Sequence, residues 1–126
     1  MIKWFEEHNA LSWAITILIA IFIFSFSTIT FEGIGGSTGI KSWMSIVYHI
    51  SIFFFLSLFL FISLVKGKEK AYLFLFGGLA LLSYGIIDEI HQFFVQGRVC
   101  ALGDVGFDLI GILFAFMFYL ISLKSR

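Results

Sequence analysis

Proline is absent from the 126 residues, cysteine occurs once, and charged side chains make up only 13%. Without proline, no apolar run carries the residue that most strongly breaks a helix interior. A lone cysteine, Cys100, excludes an intrachain disulfide. The charged fraction is well below the quarter or so found in soluble domains. The formal net charge is zero, so overall charge points to no nucleic-acid partner.

What is present is apolar. Hydrophobic residues make up 60% of the chain, and 18 of them are Phe. The charges fall in short patches between apolar runs of about 20 residues, the length at which a helix crosses about 30 Å of hydrocarbon. A soluble protein would need a polar shell around four such helices, which a chain of this size cannot supply. The sequence predicts an all-α, polytopic protein of the cell membrane. It is one domain over 1–126, with four transmembrane helices in an antiparallel bundle. The spans are expected at about 12–31, 43–65, 71–90 and 104–123.

"MIKWFEEHNAL" opens the chain as an interfacial lead-in, with Trp4 at head-group level. The following apolar stretch is too long for a signal-peptide core, so it reads as a retained helix that Asn9 or Ser12 would cap. "EGIGGSTGIKS" is a glycine-rich loop without the strand and GK[ST] of a phosphate loop. "KGKEK" is a tight charged turn. Lys3, Lys66, Lys68, Lys70, Lys124 and Arg126 fall on one side of the membrane, and Lys41 and Arg98 on the other. That asymmetry predicts both termini inside, by the positive-inside rule.

The ionisable residues then gather at the outer face. Continued helically, Gly78, Leu81, Gly85, Asp88 and Gln92 share one face of the third span, the glycines inviting a neighbouring helix. Asp104, Asp108, Gly111 and Ala115 share a face of the fourth span, expected to be its antiparallel neighbour. His49, beside Tyr48, lies about 9 Å into the second span from the same end. Ser25, Ser27, Thr28, Thr30 and Glu32 bring the first span to this layer. Unpaired charges in a bilayer cost several kcal/mol by insertion scales, on the order of 3 at the centre, so these groups should face inward and pair. Arg98 is the nearby permanent cation, able to hold one carboxylate bidentately.

Each residue has a plainer role beside the chemical one. Asp104 suits the first turn of a helix, where the dipole favours an acid. Asp88 and Glu89 could form a structural ion pair with Arg98. His49 could be an interhelical hydrogen bonder or an acid–base group. Carboxylates with His49 and His91 could hold a divalent metal, although "DEIHQ" is no HExxH and no metal ligand set is assigned. Ser51, Ser57 and Ser63 drift around their helix and should bond backbone carbonyls rather than line an ion path.

"DEIHQFFVQGR" followed by "DVGFDLIG" resembles the VanZ-like family of small membrane proteins, associated with resistance to the glycopeptide teicoplanin. The histidine of "YHISIFFFL" and the serines of "FSFST" resemble that family's second and first spans, so the likeness covers most of the chain. By position, it implies a site at His49, Asp88, Glu89, Gln92, Arg98, Asp104, Asp108 and Gly111, and a cell-envelope role. Two departures stand out: Asp108 where the family has Asn, and Gln96 where it has Pro before Gly–Arg.

Three functions stay open. The first is an external polar pocket for a lipid head group or another amphiphile, a glycopeptide included. His49, Asp88, Glu89, His91, Gln92, Arg98, Asp104 and Asp108 would form it, with Asp88, Glu89, His49 and Asp108 as acid–base candidates. The second is a metal-dependent hydrolase or transferase acting on lipid. The third is a non-catalytic interaction subunit whose polar cluster locks helix packing.

Overall fold

The computed structural model describes residues 1–29, 38–96 and 102–125, with backbone alone for 38–42. Five helices follow one another: α1 (Ile2–Glu7), α2 (Asn9–Ser27), α3 (Thr38–Val65), α4 (Ala71–Phe94) and α5 (Leu102–Lys124). The last four are long and apolar enough to cross a membrane. Large apolar side chains such as Leu18, Ile21, Phe76, Phe93 and Phe114 point outward. That surface belongs in lipid, because a soluble monomer rarely exposes so extended an apolar area. The chain is an all-α four-helix bundle preceded by one short helix.

The central element is α3. Its most extensive packing is against α5, and then against α2, while α4 packs against both α5 and α3. The expected α4–α5 neighbours are therefore in contact, but α5 leans harder on α3. Gly111 is the reason. A Cβ there would stand 2.5 Å from the carbonyl oxygen of Ile50 and 3.0 Å from the Phe54 nitrogen. The bare backbone lets the two helices meet, as small residues do in membrane bundles. Phe53, Phe61, Ile62, Ile112, Ala115 and Tyr119 fill the core between them.

On α4 the buried residues are Phe74, Gly77, Leu81, Gly85, Asp88, Glu89 and Gln92. This stripe corrects one expectation: among the described residues, nothing lies within 4 Å of where a Gly78 Cβ would be. Stepping back from Gly85 by four and four gives Leu81 and Gly77. A Cβ on Gly77 would lie 3.1 Å from the Phe61 ring and 3.2 Å from Leu64. Gly77 rather than Gly78 is the packing glycine.

Helix ends differ as well. The first span stops at Ser27, where Ser27 Oγ donates to Phe24 O and Thr28 Oγ to Ser25 O. Such bonds offer the backbone an alternative to continuing the helix. Neither Asn9 nor Ser12 caps α2, whose N-cap is His8. Ser12 instead donates to Phe5 O at 2.7 Å, tying α1 beneath the bundle. Asn9, with its amide turned to suit both neighbours, donates to Ser63 O and accepts from Lys66 Nζ at 2.9 Å.

The start of the chain, the 66–70 turn and the end of α5 lie together. Tyr119 donates to Glu6 Oε1 at 2.6 Å and accepts from the Gly67 nitrogen at 3.3 Å. Lys66 and Gly67 turn with positive φ, 49° and 72°. Glycine takes that conformation without steric cost.

Candidate functional site

The 66–70 turn joins α3 to α4 at this closed end, so the first half of α3 and the second half of α4 lie at the other. There the bundle buries His49, Asp88, Glu89, Gln92 and Asp108. Asp104, in the first turn of α5, is partly exposed beside them. Three helices thus deliver side chains to one polar layer, as the helical faces predicted.

Asp108 is its centre. It is only 2% exposed. Its Oδ1 accepts from His49 Nδ1 at 2.8 Å, joining α5 to α3. Its Oδ2 lies against α4, 3.0 Å from where a Gly85 Cβ would sit. Gly85 is bare because the carboxylate of Asp108 occupies the space its side chain would fill. Since a carboxylate accepts, Nδ1 is the protonated nitrogen, and Nε2 faces the other way. Nε2 stands 3.5 Å from Asp104 Oδ2. His49 is therefore held between two acids, one deep and one near the mouth. The early-turn position suits Asp104 to the helix dipole, and it also reaches the histidine, so both readings of that residue hold geometrically.

Glu89 completes the approach from α4. One donor atom each from His49, Glu89 and Asp104 lie within 4.8 Å of one another. Asp88, one residue earlier, has a separate setting. Gln92, one helical turn on, donates Nε2 to Asp88 Oδ2 at 2.9 Å. Asp88 Oδ1 is buried and meets no hydrogen-bond partner among the described residues. The charges of Asp88 and Asp104 both lie near enough to act on Asp108.

His91 does not join this group. Its ring lies 4.4 Å from that of Phe24, facing α2. The α4 helix continues beyond the expected end of the third span and includes His91, but the ring turns to Phe24 while Gln92, the next residue, turns to Asp88. Arg98 and Cys100 lie outside the described residues, as do Thr30 and Glu32. Ser63 Oγ donates to Phe59 O at 2.7 Å, as expected of that serine series. Ser57 departs from it: buried, it has no hydrogen-bond partner among the described residues.

Tyr84 was not foreseen. It lies one helical turn before Asp88, and its hydroxyl donates to Ala20 O at 2.6 Å, crossing from α4 to α2. The available signal was a tyrosine four residues before a buried acid, inside a span where lipid offers its hydroxyl no partner.

Chemically, the layer offers one imidazole with a fixed tautomer, one nitrogen of which looks toward the mouth. It also offers several carboxylate oxygens, of which Asp88 Oδ1 has no partner among the described residues. This arrangement can accept from cationic or hydroxyl donors, coordinate a metal, or relay a proton through His49. No family model, no curated protein and no solved structure matches the chain.

Proposed function

We propose that the chain is a VanZ-like, multi-pass protein of the cell membrane that binds the polar head group of an amphiphile at the open end of its bundle. The observation that carries this reading is Asp88 Oδ1, a buried carboxylate oxygen with no partner among the described residues. A packing network that only locks helices together gains by satisfying every member, since an unsatisfied buried acceptor costs about 1–3 kcal/mol. An oxygen left over at head-group depth fits a site awaiting a donor.

The flanking residues suit the same role. His49 Nε2 and Asp104 lie toward the mouth, Gln92 orients Asp88, and apolar helix faces below would take acyl chains. The clustering of Lys and Arg at the closed end supports an inward-facing closed end and a site in the external leaflet. In this setting an envelope role, in glycopeptide resistance or otherwise, follows from the ligand the site selects.

The test is lipid retention. The protein is extracted with native lipids, and those that co-purify are identified by mass spectrometry. Wild type should carry an enriched head-group class that His49→Ala and Asp88→Asn lose while remaining folded. An identical lipid profile in folded variants overturns the reading.

A further inference from the structure

We propose that His49 Nε2, Glu89 and Asp104 form a binding site for one divalent transition-metal ion of the zinc class, with Asp108 as the residue that positions the histidine.

The donor set has the right spacing. Two ligands about 2.1 Å from a tetrahedral ion stand about 3.4 Å apart. His49 Nε2 and Asp104 Oδ2 are 3.5 Å apart without any adjustment. One carboxylate oxygen of Glu89 lies within 4.8 Å of a ligand atom on each of the other two. The ligands come from three different helices, so α3, α4 and α5 fix the set in three dimensions.

The histidine is set as a metal-bound histidine is set. Such a residue almost always donates its other ring N–H to a carboxylate or carbonyl, which fixes the tautomer and raises the basicity of the ligating nitrogen. His49 makes that bond to Asp108 at 2.8 Å. Asp108 could not be replaced in this by an exposed acid, because its place depends on the bare backbone of Gly85.

A second observation is independent of the three ligands. Asp88 is 5% exposed, acts electrostatically on Asp108, and has one oxygen without a partner among the described residues. Asp108, Asp104 and Glu89 thus put three carboxyl groups around the imidazole, and Asp88 acts on Asp108 from behind them. A cation bound among these carboxylates would offset their mutual repulsion. Carboxylates alone would suit magnesium or calcium, whereas an imidazole nitrogen in the set favours zinc and its neighbours.

Three protein ligands leave a fourth position open. In this one respect the inference rests on the head-group reading: an open position gives an anionic oxygen of a head group a partner in a site otherwise lined with acids. Metal binding itself needs no lipid, which separates the two tests.

The experiment is a titration of the full chain with Co²⁺ and then Zn²⁺ in lipid-free detergent, after chelator treatment. Wild type should take one Co²⁺ per chain, with the visible ligand-field bands of a low-coordinate site, and Zn²⁺ should displace it. His49→Ala and Asp104→Asn should abolish the bands. Asp108→Asn should weaken binding about 10–100-fold, the usual effect of losing a ligand's supporting carboxylate. His91→Ala, which alters a histidine facing α2, should change nothing. Absence of stoichiometric Co²⁺ from wild type overturns the proposal without any variant. So does a folded His49→Ala protein that still shows the bands, or a His91→Ala protein that loses them. If the metal fails to bind while the lipid profile still depends on His49, the head-group reading stands alone. If the metal binds and the lipid profile does not depend on His49, only the metal site survives.

Discussion

Asp108 does at one residue what the sequence pattern suggested for two helices. It accepts from His49 across the α3–α5 interface and fills the space over Gly85 on α4. An Asn at this position would keep an acceptor for the His49 N–H. In metal-free protein, Asp108→Asn should therefore cost about 1 kcal/mol, within the range measured for interhelical hydrogen bonds in membranes. Asp108→Ala leaves the histidine donor buried and unmatched, and should cost about 1–3 kcal/mol. Unfolding in mixed detergent measures both, and equal losses would contradict this account of the pair. The spacing of acids along each span marked out Asp88, Asp104 and Asp108. It could not show which oxygen meets which nitrogen, because that depends on how far one helix slides along another.

At the scale of the element, the bundle is set by which glycines face a neighbour. Gly111→Ala drives a Cβ into α3 backbone, where nothing flexible can move aside. It should destabilise by about 1–3 kcal/mol, as overpacking does. Gly78→Ala meets open space and should be neutral, or stabilising by up to about 1 kcal/mol through helix propensity. Thermal unfolding of the two variants side by side reads the contrast. The stripe Leu81, Gly85, Asp88 and Gln92 was legible because four-residue and three-residue steps keep a helix face. Adjacent glycines at 77 and 78 were not, because they differ by about 100° around the helix, and only Phe61 and Leu64 on α3 decide between them. The docking of α1 was equally invisible, since it depends on Tyr119 meeting Glu6, residues far apart in the chain. Tyr119→Phe removes that donor and should loosen the first turn of structure. Faster hydrogen exchange over residues 2–8, with the four spans unchanged, is the expected result.

For the whole molecule, the two ends of the bundle are unlike. One is closed by α1, the 66–70 turn and the end of α5; the other gathers His49, Asp88, Glu89, Asp104 and Asp108 between helices. All-α architecture and four spans were readable directly, because run length and hydrocarbon thickness leave few alternatives. The clustering of Lys and Arg at the closed end predicts that this end faces inward. An impermeant thiol reagent should label Cys100 in intact cells and should label a Ser125→Cys, Cys100→Ser protein only after permeabilisation. The reverse pattern would put the site on the inner face. The central claim is that the polar layer receives a ligand rather than merely joining helices. The most direct measurement is an experimental structure of the protein purified with its native lipids. The account predicts head-group density against Asp88 and His49, with its acyl chains along the outer faces of the bundle. A dry, closed layer, with Asp88 Oδ1 paired within the protein and no density at the mouth, would contradict it.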